Sequence, residues 1–115
     1  ARLDYEVGRA RRYGGSVSVI ALQSPVGQTI NGEWQRLAAT VSGSMRALDT
    51  CWVDSRWITL VLPETDMAAR SRVIDRILEH AQVEAVAIEV SASTFPHEAP
   101  TSDALLRSLA GSEDD

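Results

Sequence analysis

Hydrophobic positions along this chain alternate between helical and extended spacing, and each change of period marks an element. Leu3, Val7 and Ala10 recur at helical spacing among Arg2, Arg9, Arg11 and Arg12. Gly14-Gly15 then supplies a helix stop, since Gly enters the left-handed conformation at low cost. Ser16 to Leu22 is alternating and β-branched, which predicts a strand, and the breaker-rich stretch from Gln23 to Gly32 predicts a loop. Trp34, Leu37, Ala38, Val41, Met45 and Leu48 form an apolar stripe that predicts a helix from about Glu33 to Leu48. Thr50 to Leu62 predicts a hairpin turning near Asp54-Ser55, a register that would set Trp52 opposite Trp57 on one face. Pro63 ends that second strand. Thr65 or Asp66 can cap a helix burying Met67, Ile74, Ile77, Leu78 and Ala81. Ala85 to Ser93 predicts a fourth strand, Thr94 to Pro100 a loop, and Asp103 to Leu109 a short last helix before the acidic end Glu113-Asp114-Asp115.

The order is helix, β-α-β-β-α-β, helix. It predicts an α+β fold: an antiparallel sheet with its two main helices packed on one face, the ferredoxin-like or palm arrangement. One domain is expected over residues 1–110, with an acidic tail at 111–115.

Composition narrows the classes. At 115 residues, 44% hydrophobic and 23% charged, the chain has the make-up of one globular domain. No apolar run approaches the roughly 18–20 residues needed to span a bilayer. A net charge of −5 argues against nucleic-acid binding, which draws on Lys and Arg. All 11 basic residues are Arg, so every lysine-based mechanism is excluded. Cys51 is alone, which rules out an internal disulfide and predicts a reducing, cytoplasmic setting. On its strand Cys51 is expected as a small core residue. His80 and His97 stand apart from any ligand cluster, so no metal is expected, and no nucleophile elbow occurs.

Four segments, in order, carry a resemblance. They are Glu6-Val7-Gly8-Arg9-Ala10-Arg11-Arg12-Tyr13-Gly14-Gly15 before a strand; Arg46-Ala47-Leu48-Asp49; Trp57-Ile58-Thr59-Leu60-Val61-Leu62-Pro63-Glu64-Thr65-Asp66; and Val90 to Pro96 followed by Thr101 to Leu106. Together they resemble the GGDEF domain of diguanylate cyclases. The resemblance implies a palm-like sheet, a bacterial signalling role and partners in the form of neighbouring domains, other proteins or a homodimer.

Counting back from Leu62-Pro63-Glu64-Thr65, the family's signature turn falls on Asp54, Ser55, Arg56, Trp57 and Ile58. Gly14-Gly15 precedes the first strand and is no substitute for it. Family members hold Mg2+ with an Asp at the end of the first strand and an acidic residue in the turn, because a hard cation needs oxygen ligands of opposite charge. Here those places hold Gln23, Arg56 and Trp57. The family's guanine-holding segment is shortened, with only Ile30-Asn31 and Gly32-Glu33 echoing it, and the sequence stops before the place expected for the family's terminal lysine-bearing helix. The expectation is a catalytically inactive domain with no catalytic residue, no metal and no cofactor. Asp54 is expected to bond its own turn. The chain starts inside the family's first helix, which predicts a segment of a longer protein.

Two candidate sites remain. Arg46 and Asp49 have the form of the family's inhibitory R-x-x-D motif, through which relatives grip cyclic di-GMP; a planar guanidinium suits bidentate contacts. The competing reading is a local ion pair. Trp52 and Trp57 form a candidate protein-docking surface, against the alternative of a cross-strand aromatic pair, while Trp34 is expected in the core. The function expected is regulatory protein interaction. The alternatives are a cyclic di-GMP receptor and a residual GTP-binding domain.

Overall fold

The structure, a computed structural model, describes residues 2–24 and 32–98. Its elements are α1 (Arg2–Tyr13), β1 (Val17–Gln23), α2 (Glu33–Gly43), β2 (Thr50–Val53), β3 (Trp57–Pro63), α3 (Met67–Val83) and β4 (Glu89–Phe95). The strands form one sheet in the order β2-β3-β1-β4, and every neighbouring pair is antiparallel. This is the antiparallel α+β palm predicted from the element order.

Period-two alternation divides the sheet into two faces. Ile20, Leu22, Ile58, Leu60 and Leu62 point to the face covered by α2 and α3, where they meet Trp34, Leu37, Ala38, Val41, Ile77 and Ala81. Val17, Val19, Ala21, Val61 and Phe95 point to the other face and pack on Leu3 and Val7 of α1. Full burial of each Val, Leu, Ile or Phe among them contributes about 1.5–3 kcal/mol. The α1 stripe and the α2 stripe from Trp34 to Val41 therefore face the sheet, and Trp34 is only 1% exposed. No helix among the described residues is long and apolar enough to cross a membrane.

Gly14 and Gly15, at φ 82° and 104°, turn the chain from α1 into β1, a backbone that side chains other than glycine rarely adopt. Asp66 caps α3 by accepting from the Ala69 amide at 2.8 Å. At the other end Glu84 is the C-cap, and Ala85 sits at φ 58°. The Ala85 amide reaches Gln82 O and the Val86 amide reaches Ala81 O, a Schellman closure with Ala in the place glycine usually takes.

The structure departs from expectation at four points. α2 ends at Gly43 rather than Leu48, because Asp49 takes the Arg46 amide with its side chain and starts a turn that competes with further helix. β4 runs from Glu89 to Phe95 rather than from Ala85 to Ser93: the Schellman closure occupies its expected start, and Thr94 and Phe95, expected in a loop, pair with Ser18 and Val17. Met67 and Leu78 of α3 are exposed, because the buried line runs through Val73, Ile74, Ile77 and Ala81. Trp52 lies opposite Thr59, not Trp57. The expected last helix, the acidic tail and most of the loop after Gln23 lie outside the described residues.

Candidate functional site

The β2–β3 hairpin tip stands beside the end of β1, where Gln23 lies opposite Trp57 on one side and Glu89 on the other. The tip turns at Ser55-Arg56. Asp54 N–H donates to Trp57 O at 2.9 Å, and Asp54 Oδ1 accepts from the Arg56 and Trp57 amides at 2.8 Å each. Ser24 N–H, just past the end of β1, holds Arg56 O, and the Trp34 indole donates to Asp54 O from α2, both at 2.9 Å. The Asp54 carboxylate therefore bonds its own turn, as expected from the sequence. Where the resemblance sets two metal-binding carboxylates, the sequence has the neutral Gln23 and the pair Arg56-Trp57, and Asp54 commits one carboxylate oxygen to two amides, a poor set for a hard Mg2+ ion. Among the described residues no group of three or more His, Cys, Asp and Glu could hold a metal ion.

Arg46 and Asp49 are brought together at the α2–β2 turn. Arg46 Nη2 meets Asp49 Oδ1 at 2.7 Å, and Arg46 Nε lies 3.1 Å from Oδ2. The same Nη2 also donates to Pro63 O at 2.8 Å and Thr65 Oγ1 at 2.9 Å. The Asp49 side chain is 4% exposed and that of Arg46 48%. Hydrogen bonding to Asp49 raises the Arg46 guanidinium further above its already high pKa, with partial burial opposing. The pair is more than a local ion pair: it fastens the α2–β2 turn to the end of β3.

Trp52 and Trp57 share the α1 face but are offset by two residues. Strand geometry makes them diagonal neighbours, roughly 7–8 Å apart. Trp57 packs at the edge of the α1 core, whereas Trp52 is 48% exposed beside Val53 at 49%. The two tryptophans therefore differ in role: Trp57 is tied to the core and Trp52 is presented at the sheet edge. Cys51 packs against the core under α2 and α3, and burial pushes its thiol pKa up. At the opposite end of the sheet from the hairpin tip lies a cleft of about 500 Å3 lined by Glu6, Arg9, Tyr13, Gly14, Glu64 and Asp66 among others. Arg9 bridges Glu6 and Glu64 there.

Comparison with solved structures decides the fold family. A sensory box/GGDEF family protein from Caulobacter crescentus CB15 superimposes with a TM-score of 0.74 at 15% identity, covering 99% of this chain and 89% of its own. A DGC protein from Thermotoga maritima gives 0.71 at 16% identity over 98% and 87%. The fold is that of a GGDEF domain. The diguanylate cyclase SiaD of Pseudomonas aeruginosa, solved in complex with its activator SiaC, shares the GGDEF fold with a TM-score of 0.60 at 21% identity, over 96% of this chain and 52% of that one. No family model and no curated protein matches the sequence.

Within this GGDEF fold, a polar chain escaped the sequence reading. Thr65 Oγ1 donates to Pro63 O, and Ser18 Oγ donates to Thr65 O at 2.8 Å. Ser18 Oγ also meets Thr94 Oγ1 at 2.8 Å, and Thr94 Oγ1 accepts from Arg70 Nη1 at 2.9 Å. Arg70 in turn pairs with Glu98. The available signal was Ser18 and Thr94, hydroxyl residues inside otherwise apolar strands, which burial obliges to find partners.

Proposed function

We propose that this GGDEF-fold domain no longer makes cyclic di-GMP and acts as a regulatory module that docks on a protein partner or a neighbouring domain in bacterial signalling. The observation that carries this reading is the hairpin tip, where Asp54 is spent on the Arg56 and Trp57 amides in the place the family uses for metal and nucleotide. Phosphoryl transfer depends on metal ions and positioned charge, and Arg56 opposes a metal where the family has a carboxylate. Trp52, half-exposed on an edge strand at the α1 face, supplies an aromatic docking point, while its neighbour Val53, also half-exposed, points to the opposite face. SiaD with its bound activator SiaC is a protein of this fold that engages a protein partner. The lone thiol of Cys51 suits a reducing cytoplasm.

The second reading is a cyclic di-GMP receptor at Arg46 and Asp49. Half-exposure of Arg46 favours it, but a ligand would have to compete with Asp49, Pro63 O and Thr65 for the guanidinium. Calorimetric titration with cyclic di-GMP, and in parallel with GTP and Mg2+, tests both readings, alongside an assay for pyrophosphate release. The docking module gives no heat and no pyrophosphate, and loses a captured partner on Trp52→Ala. Pyrophosphate release from GTP would overturn the inactive reading. Binding of cyclic di-GMP that disappears in Arg46→Ala would establish the receptor instead.

A further inference from the structure

The turn that joins β3 to α3 holds one residue under strain. Pro63 pairs with Val17 at the end of the β1–β3 ladder, and the next cross-strand bond runs from the Thr65 amide to Ser16 O at 3.1 Å. Glu64 and Thr65 together therefore face Ser16, the two-against-one count of a β-bulge. Glu64 takes the left-handed position of that bulge at φ 53°. Glycine is the usual residue there, and an L side chain is strained.

Strain of this kind persists only where the surroundings over-determine the backbone. Arg46 Nη2, reaching in from the α2–β2 turn, donates to Pro63 O at 2.8 Å and to Thr65 Oγ1 at 2.9 Å. Ser18 Oγ donates from β1 to Thr65 O at 2.8 Å. On the outside, Arg9 Nη2 of α1 meets a Glu64 carboxylate oxygen at 3.3 Å. That last pair is exposed on both sides and contributes little. Arg46 is the one contact here that grips the residues on both sides of Glu64, and a charged donor on neutral acceptors makes a strong bond.

The same turn forms a wall of the cleft beside α1. Pro63, Glu64 and Asp66 line that cleft, and Arg46 does not. The turn into β1, at Gly14 and Gly15, lines it as well, and no atom lies within 4 Å of where a Cβ would stand at either glycine. The cleft therefore has room for the turn at residues 63–66 to change shape.

We propose that this turn is a strained latch, set by Arg46, which governs the shape of the cleft. With the guanidinium in place, Glu64 stays left-handed and its carboxylate is held on Arg9. When the guanidinium is drawn off, Glu64 returns to the ordinary right-handed or extended region. The Thr65 bond to Ser16 then opens, and the cleft wall moves with it. Arg46 and the cleft share no side chain, yet one two-position element joins them, which is what physical coupling requires. The latch works through the main chain alone. It holds with or without a ligand at Arg46 and is independent of the docking role of Trp52.

NMR of the folded chain tests it without any ligand. A strong intraresidue cross-peak between the Glu64 amide and Hα protons marks a positive φ. It is expected in the parent and should weaken in Arg46→Ala. The Thr65 amide should lose exchange protection in the same variant, and the Gly14 and Gly15 amide resonances should shift. Thr65→Val deletes the hydroxyl that Arg46 grips and keeps the Asp49 pair. It should move the same signals in the same direction, and it serves if Arg46→Ala does not fold. Glu64→Gly added to either variant should restore Thr65 protection and return the Gly14 and Gly15 resonances, because glycine stays left-handed without restraint. A general loss of stability would not be repaired in this way. A Glu64 cross-peak that stays strong in both variants would overturn the proposal. So would Gly14 and Gly15 resonances that do not move, or a glycine variant that restores nothing.

Discussion

The indole N–H of Trp34 donates to the main-chain oxygen of Asp54 at 2.9 Å, so a residue buried under the sheet by α2 also holds the hairpin tip. The helix stripe explains the burial of Trp34, and the tip explains why the aromatic is Trp rather than Phe or Leu. A buried indole needs an acceptor, and a turn carbonyl at a strand end needs a donor.

Trp34→Phe separates the two roles. It keeps most of the apolar volume and deletes the donor, at a cost of about 1–2 kcal/mol from the unsatisfied acceptor and the small cavity left behind. Trp34→Ala should cost about 3–5 kcal/mol. Urea unfolding followed by far-ultraviolet circular dichroism measures both, and the phenylalanine variant should lower the midpoint without changing the slope. A phenylalanine variant as stable as the parent would show that the bond to Asp54 is dispensable.

Ala85 offers a stabilising change. It holds the left-handed position that closes α3, at φ 58°, where an L side chain is strained by roughly 1–2 kcal/mol. Ala85→Gly relieves that strain and gives back part of it as unfolded-state entropy, for a net gain of about 0.5–1 kcal/mol. Thermal unfolding should show a rise in midpoint; a fall would mean that the turn tolerates Ala without strain.

The contrast between these residues shows what the sequence makes legible. Elements whose signal is local came through: the α1 stripe and its Gly14-Gly15 stop, the α2 stripe through Val41, and the Asp66 cap. The hairpin register did not, because the turn is centred on Ser55-Arg56, one residue later than read. One residue at the turn moves the pairing by two, which carries Trp52 from Trp57 to Thr59 yet keeps both tryptophans on one face. The start of β4 was obscured because Ala85, with no glycine to mark it, makes a left-handed turn inside an apolar run. At the candidate site, the spacing of Arg46 and Asp49 showed that they could meet. Their fastening to Pro63 and Thr65 rests on a contact between separate elements that no local pattern encodes.

Cys51 gives a pH-dependent prediction. Burial, the largest influence, raises the thiol pKa, and a hydrogen bond with Ser42 opposes it. The folded state therefore binds this proton more tightly than the unfolded state. Its contribution to stability is present below the unfolded value and is lost as pH rises through the folded one. At neutral pH the folded thiol should react with iodoacetamide more slowly than in the urea-unfolded chain, because the thiolate is the nucleophile. The stability difference between the parent and Cys51→Ala should shift against the parent at alkaline pH. Equal alkylation rates for folded and unfolded chains would contradict this.

Arg46 gives the prediction that bears most directly on function. Its guanidinium closes three contacts at once, to the Asp49 carboxylate, Pro63 O and Thr65 Oγ1. Removing it leaves Asp49, whose side chain is almost wholly buried, without its cation. Arg46→Ala should therefore cost roughly 1–3 kcal/mol, the range for a buried polar group stripped of its partner. Arg46→Lys should recover only part of that, because a point charge cannot reproduce the planar fork that reaches both carboxylate oxygens and two neutral acceptors. Denaturant titration of both variants, with and without cyclic di-GMP, gives the direct comparison. For a structural clasp the ligand leaves all midpoints unchanged while the variants fall in the order Arg, Lys, Ala. For a receptor the ligand raises the midpoint of the parent alone, by an amount that grows with its concentration. A parent chain no more stable than Arg46→Ala would remove the clasp and return Arg46 to the surface as a free guanidinium.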